Sequence, residues 1–398
     1  MTETPVMPLH MRRERFDPVE ELTRARDGEG VTRFTTIFGT PAYLVSRYED
    51  VREVLSDATR FSNAGPQPLL RPGNLSDEEL ARLQAGQMLA HDPPEHTRLR
   101  RMLTPEFTVR RMRRLEPRIV EIVDAALDDL ERAGKPADLV SLFALPVPSL
   151  VICELLGVPY SDREEFQRRT GRLLDVSLPL EQRTAAQLEN RAYMSVLVER
   201  ARVEPGDDML GMLVREHGDD LTDDELTGVA ALLLLAGHET TANMLGLGTL
   251  ALLRHPEQLA LVRDDPAQVE PAVEELLRWL SIVHSGVPRT TTTEVEIAGH
   301  TIPEGSQLFL ALPAANRDPV LVDDPERFDV RRGAPGHVAF GHGVHHCLGA
   351  PLARMEMRIA FPALLRRFPG LALAVPYEEI EFRAFNVVYG VRALPVTW

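Results

Sequence analysis

The sequence predicts one mainly α-helical unit with a small β part. Of its 398 residues, 44% are hydrophobic and 26% are charged, which is ordinary globular composition and enough for a large core. Apolar residues recur with helical spacing in several long stretches, whereas alternating, strand-like stretches are few and short. Because we find no repeat, low-complexity tract or linker, we predict a single domain over residues 1–398.

The elements follow in order along the chain. A Gly-Thr-Pro turn between β-favouring segments predicts a hairpin over 33–39 and 42–47. Thr222, followed by three acidic residues, is a favourable helix start. Helices are predicted at 48–55, 95–132, 150–156, 189–202, 223–253, 269–280 and 348–368. Strands are predicted at 293–302, at 307–310 and as short pieces within 381–398, with a loop over 316–343.

Charge and composition exclude several classes of protein. A net charge of -16 and a pI near 5.3 make nucleic acid an unsuitable partner, since phosphate contact needs a positive surface. Two cysteines cannot form a disulfide scaffold. We find no signal peptide, and polar residues interrupt the most apolar region, 229–253, which therefore predicts a buried helix and no membrane anchor. We expect a cytoplasmic protein.

One glycine-rich loop carries a candidate metal ligand. Residues 340–349 read FGHGVHHCLG and place Cys347 just before a predicted helix, whose N-terminal dipole favours a thiolate. An inert thiol, a nucleophilic Cys-His pair and a metal ligand all remain open from these residues alone. Zinc is disfavoured because the neighbouring His345 and His346 suit a shared tetrahedral ion poorly. The loop is not a dinucleotide fingerprint, since position 346 is histidine.

Three other patterns place polar groups at helical spacing. Residues 236–241, AGHETT, put Glu239 and Thr240 inside the apolar helix, where an unpaired carboxylate is costly, although hydroxyls often bond the preceding turn. Glu275 and Arg278 share a helix face, which alone is typical of a solvated ion pair. His96 and Arg100 also share a face. Cys153, in an apolar pattern, predicts a small buried hydrophobe.

Together these motifs resemble the cytochrome P-450 haem-thiolate monooxygenases over essentially the whole chain. The residues Phe340, Gly343, Cys347 and Gly349 match the signature FxxGxxxCxG, and the other three motifs occur in the family's order and spacing. The resemblance implies the cytochrome P-450 fold, with heme b buried between helices and its iron bound by Cys347. The sequence is similar to the soluble actinobacterial members in AGHETTAN and in the closing ALPVTW.

The resemblance also implies roles for individual residues. Glu239 and Thr240 match the acid-alcohol pair that delivers protons to iron-bound oxygen; many relatives have Asp at the first position. Glu275 and Arg278 match a buried structural ion pair that Arg327 completes. The cofactor contacts implied by the resemblance are His96, Arg100, Arg289, His345 and Phe340. Of these, the two histidines and the two arginines would contact the haem propionates.

The implied function is dioxygen activation, with hydroxylation or epoxidation of a medium-to-large apolar molecule in secondary metabolism, of macrolide, terpenoid or sterol-like type. Ferredoxin and ferredoxin reductase would supply electrons to a monomer, docking near the arginines of residues 95–118. The segments 62–90, with Pro66, Pro68, Pro72 and Gly73, 282–287 and 385–388 would border the substrate pocket. The alternatives are peroxide-driven or isomerase chemistry, a non-catalytic haem sensor, and a haem-free Cys-His hydrolase.

Overall fold

The computed structural model describes residues 7–36, 39–65, 76–333 and 335–398, and helices dominate it, as predicted. The helices are α1 Glu20–Asp27, α2 Tyr48–Ser56, α3 Asp77–Gln84, α4 Glu95–Leu103, α5 Val109–Ala133, α6 Pro146–Leu156, α7 Arg163–Leu174, α8 Leu180–Val203, α9 Met209–His217, α10 Asp223–Arg254, α11 Pro256–Asp264, α12 Val269–Leu280, α13 Leu312–Ala315 and α14 Ala350–Arg367. The pocket-loop positions 66–75, including Pro66, Pro68, Pro72 and Gly73, lie outside the described residues.

The strands form small sheets at the edge of the helical body. They are β1 Arg13–Glu14, β2 Asp17–Pro18, β3 Val31–Thr35, β4 Pro41–Val45, β5 Phe61–Ser62, β6 Ala137–Asp138, β7 Val287–Thr291, β8 Val295–Ile297, β9 His300–Ile302, β10 Gln307–Leu310, β11 Ala372–Leu373 and β12 Pro395–Thr397. The largest sheet has the order β3-β4-β10-β7-β5. Its β3–β4 pair is the predicted hairpin, while β10 joins β4 in parallel and β7 antiparallel.

Helix α10 is the axis of the core. Thr222 and Glu225 form a capping box at its start, and nearly every residue from 226 to 252 is buried. It packs against α6, α8 and α14, which is why its sequence is apolar on all sides. Within the described residues, no helix is long and apolar enough to cross a membrane.

Some predicted boundaries were wrong. The pattern over 95–132 is interrupted by a 3-10 turn at Thr104–Phe107, since Pro105 cannot donate an amide to a continuing helix. Helix α8 begins at Leu180 instead of 189, and α7 and α9 were missed. The C-terminal segment 381–398 holds one strand, β12, and isolated bridges at Phe382, Asn386, Val388 and Val391.

Candidate functional site

The loop before α14 holds Cys347 by backbone contacts. The Cys347 amide donates to the Phe340 carbonyl at 2.9 Å, which closes the loop. At Gly343, φ is +70° and an added Cβ would lie 2.4 Å from the Leu55 carbonyl oxygen, so this position requires glycine. The sequence therefore fixes the sulfur immediately ahead of the first turn of α14.

The Cys347 side chain is exposed to solvent, but protein atoms lie close around its sulfur. These surroundings partly desolvate the thiol and raise its pKa, while amide donors of Gly349 and Ala350 and the charges of Arg100 and Arg354 act in the opposite direction. Those donors and cations stabilise an anion, which is what a metal-bound sulfur is. The arrangement fits a thiolate ligand to a cation better than an inert thiol.

Two histidines meet beside this loop. The ring centroids of His96 and His345 lie 4.1 Å apart. Both nitrogens of each ring are buried and have no hydrogen-bond partner among the described residues. Burial lowers the pKa of both rings, that of His345 to about 3. Buried polar atoms are almost always hydrogen-bonded, so we expect these rings to donate hydrogen bonds to an acceptor on a bound group.

Two arginines join the histidines. Arg289, only 4% exposed, donates from Nη1 to the Pro288 carbonyl at 2.7 Å, and burial lowers its pKa to about 10. Arg100 donates to the His346 carbonyl at 2.6 Å. The charges of both arginines act on His345, so the structure gathers all four residues that the resemblance assigns to the propionates. Guanidinium groups and unpartnered ring nitrogens suit a pair of carboxylates.

Helix α10 is accessible along one short strip. Ala236 is exposed, and Leu235, Gly237 and Thr240 are partly exposed, whereas most other residues of this helix are buried. The Thr240 hydroxyl donates to the Ala236 carbonyl at 2.8 Å, whereas Thr241 is only 3% exposed. Of the two neighbouring threonines, Thr240 is therefore the one that a bound molecule can reach.

Glu239 lies buried between two charged or titratable neighbours. Its Oε2 is 3.2 Å from Nη1 of Arg383 and 3.4 Å from Nδ2 of Asn243. On the other side, His238 Nε2 lies 4.0 Å from Oε1. The buried carboxylate is thus paired, which removes most of the cost of placing it in the apolar helix.

Two contacts orient the His238 ring. Its Nδ1 lies 2.6 Å from the Leu234 carbonyl and must carry a proton, and its Nε2 lies 3.0 Å from the Thr170 hydroxyl oxygen. Burial lowers the pKa of His238 against the opposing effect of Glu239. The histidine therefore connects α10 to α7 without adding charge beside Glu239.

Arg383 was missed in the sequence, where it lies far from α10. It belongs to a C-terminal turn closed by the hydrogen bond from its amide to the Gly390 carbonyl, 2.8 Å long. A Cβ on Gly390 would lie 1.8 Å from Asn243 Oδ1, so glycine lets the turn approach α10. No local pattern marks such a contact.

The Glu275–Arg278 pair is buried, as the resemblance implied. Both side chains are 0% exposed and form two hydrogen bonds of 2.8 Å. Arg278 also donates to the carbonyls of Asn316 and Pro325, each at 2.9 Å. With every donor directed at an acceptor, this network holds α12 against the segment that leads to the Cys347 loop.

The assignment of Arg327 to this network was wrong. Its side chain is 61% exposed and lies 3.5 Å from Asp329, and only its carbonyl reaches Arg278. Arg332 takes the place, with Nε 3.4 Å from Glu275 Oε1. The Arg332 amide donates to the Asp329 carbonyl and so closes a turn after Arg327. This turn directs the side chain of Arg332, and not that of Arg327, towards Glu275.

The basic cluster on α4 and α5 divides into paired and unpaired arginines. Arg98, Arg111 and Arg118 form ion pairs with glutamates. Among the described residues, no ion pair forms at Arg110, Arg113 or Arg114, all exposed on α5. These three provide a positive surface on an acidic protein.

Comparisons with known proteins agree with this geometry. The family model for cytochrome P450 matches residues 34–177 and 191–371. "Cytochrome P450 FAS1" of Rhodococcoides fascians is 54% identical over all of both chains. The solved structure of P450 StaH, from biosynthesis of the glycopeptide antibiotic A47934, is 46% identical, covers 99% of this chain and 100% of its own, and has a TM-score of 0.87.

The structure of CYP105P1 in complex with filipin I gives a TM-score of 0.92 at 43% identity, covering 100% of this chain and 99% of its own. Because the match covers the whole of this chain, it includes the Cys347 loop, helix α10 and the Glu275–Arg278 pair. The likeness thus includes the whole fold as well as the four motifs, and the chain belongs to the cytochrome P450 family.

Proposed function

We propose that this cytochrome P450 monooxygenase binds heme b through the Cys347 thiolate and inserts one atom of dioxygen into an apolar small molecule. The observation that carries the proposal is the pair of buried, unpartnered histidines, His96 and His345, beside Arg100 and the Cys347 loop. Bound haem supplies the iron at which dioxygen is reduced, and a thiolate ligand favours cleavage of the O–O bond.

Each group around the cofactor has a separate task. Arg100 and Arg289 would pair with the propionates, since the guanidinium fork binds carboxylates with two parallel hydrogen bonds. His96 and His345 would donate from rings that otherwise remain unsatisfied. Desolvation raises the pKa of the Cys347 thiol, and the amides of Gly349 and Ala350 oppose that rise, so that they would stabilise a bound thiolate from the protein side.

Proton delivery falls to α10. Thr240 is accessible and keeps its hydroxyl oriented by the Ala236 carbonyl, 2.8 Å away. Glu239, behind it, is held by Arg383, whose side chain is 23% exposed and so connects the buried carboxylate to solvent. We infer that Glu239 takes protons from the solvent side and that Thr240 passes them to the reacting oxygen. This pair favours dioxygen chemistry over the peroxide-driven, isomerase and sensor alternatives.

Replacing Thr240 with alanine should uncouple the enzyme. We expect product per NADPH consumed to fall by about 10²-fold, the lower end of general-acid contributions, while hydrogen peroxide rises to account for the missing electrons. NADPH, peroxide and product are measured in the same reaction, with a compound selected by its effect on the iron spin state. Thr241→Ala is the matched control and should stay coupled; full coupling in Thr240→Ala would contradict the assigned role.

The substrate class rests on the relatives. One solved relative binds filipin I and another comes from glycopeptide antibiotic biosynthesis, which supports a role in secondary metabolism. Segments 282–287 and 385–388 present partly exposed Val283, Val287, Phe385 and Val387, which favour an apolar ligand. Screening macrolides, terpenoids and sterols for conversion of the iron from low to high spin tests this proposal. A hit confined to polar compounds would overturn it.

The unpaired arginines of α5 are our proposed ferredoxin site. Reversing Arg110, Arg113 and Arg114 to glutamate should raise the KM for ferredoxin by about tenfold at low salt, because complementary charge steers association. The difference should shrink as salt screens the charges. Arg200→Glu, an exposed site on α8, is the control. An unchanged KM and salt dependence would place the electron donor elsewhere.

A further inference from the structure

Two neighbouring ion pairs join α14 to α12 just beyond the cysteine loop. Arg354 binds Glu274 with both arms of its guanidinium, at 2.6 and 2.8 Å. One turn later, Arg358 lies 3.5 Å from Glu270, with side chains 37% and 74% exposed. The two pairs connect the same helices with the same chemistry, but only the first is ordered by paired hydrogen bonds.

The Arg354 pair alone extends to the cysteine loop. The Arg354 guanidinium lies over the Phe340 ring, 4.6 Å from its centroid, a cation–π distance. Phe340 in turn accepts the Cys347 amide hydrogen bond at 2.9 Å. The side chain therefore contacts the residue that closes the loop around the sulfur.

His337 completes the network from the other side. Its Nδ1 accepts from the Ala339 amide at 3.2 Å, so Nε2 carries the proton and donates to Glu274 at 3.1 Å. Burial opposes ionisation of Glu274, but hydrogen bonds from Arg354 and His337 outweigh it and lower the pKa to about 2. Glu274 is thus anionic at neutral pH, where it faces the guanidinium group of Arg354.

We propose that Arg354 and Glu274 are positioning residues that set the reduction potential of the iron bound by Cys347. This inference rests on the proposed function, because it requires haem at Cys347. The charge of Arg354 already acts on the Cys347 sulfur, where it favours the anion. Adding one electron makes the thiolate-bound centre more negative, so the cation favours reduction and the Glu274 anion opposes it.

The test is a spectroscopic reduction titration of the purified holoprotein, with dithionite as electron source and no substrate. One electron enters, and no bond forms or breaks. Arg354→Gln should make the potential more negative and Glu274→Gln should make it more positive. We expect each to change the equilibrium constant for reduction by about five- to tenfold, as a partly screened charge does; tenfold is 59 mV for one electron. Arg354→Lys keeps the positive charge, so its reduction potential should lie much closer to that of the wild type than the potential of Arg354→Gln does.

Arg358→Gln and Glu270→Gln are matched controls and should leave the potential near that of the wild type. If the ion pair had only a structural role, the Arg354 and Glu274 variants would not shift the reduction potential in opposite directions. The inference is overturned if the variants keep the carbon monoxide band that marks a thiolate ligand, but their reduction potentials shift with the same sign or by no more than those of the controls. Absence of that band in the wild-type protein would instead overturn the proposed function.

Discussion

Replacing Cys347 with histidine is expected to abolish the ferrous–carbon monoxide absorption band that marks a thiolate ligand. The amides and cations around the sulfur stabilise an anion, and neutral imidazole neither carries that charge nor donates as much electron density to iron. Haem should still bind, because His96, His345 and Arg289 remain to hold the propionates. Product formation with NADPH and ferredoxin should fall to the background of haem-free protein.

The carbon monoxide difference spectrum of the reduced protein measures this directly, with haem content from the pyridine complex. Cys153→Ala is the control, because burial raises the pKa of Cys153 to about 12 and keeps it a neutral thiol in the α6 core. That variant should keep the band. Retention of the band in Cys347→His, or its loss in Cys153→Ala, would show that the ligand has been misassigned.

The parts of the fold that could be predicted are those with strong local signals. Helix α10 was predicted over 223–253 and runs to Arg254, because Thr222 caps it and apolar residues dominate most of its length. Helix α12 and strand β10 have the predicted bounds. Helix α7 was missed because charged residues obscure its apolar spacing. Phe166 and Leu173 are the only apolar residues on its buried face, which also holds Arg169 and Thr170.

The candidate site was predictable only where motifs identify it. His96 and His345 are distant in sequence, and their contact depends on the cysteine loop folding against α4. Arg383 meets Glu239 through a turn that no local pattern relates to α10. Arg327 and Arg332 have similar surroundings in the sequence, and only the turn at Asp329 decides which one faces Glu275. Side-chain direction after a turn is a tertiary property.

Replacing Glu275 with alanine should lower the free energy of unfolding by about 3–5 kcal/mol, the usual cost of removing one partner from a buried ion pair. Arg278 would keep its bonds to the Asn316 and Pro325 carbonyls but lose the anion that neutralises it, and Arg332 and the Asp329 amide would lose an acceptor. Chemical denaturation, followed by circular dichroism and by release of haem, measures the loss.

Arg327→Ala and Arg332→Ala distinguish this network from the one that the sequence motif suggested. Because Arg327 is 61% exposed, its loss should change the free energy of unfolding by no more than about 0.5 kcal/mol, the usual range for surface positions. Arg332 is 17% exposed and lies beside the fully buried Glu275 carboxylate, so Arg332→Ala should lower the free energy of unfolding by more than Arg327→Ala does. If Arg327→Ala were the more damaging change, or if Glu275→Ala cost less than about 1 kcal/mol as exposed pairs do, the pair would not be the buried support of the cysteine loop that its geometry indicates.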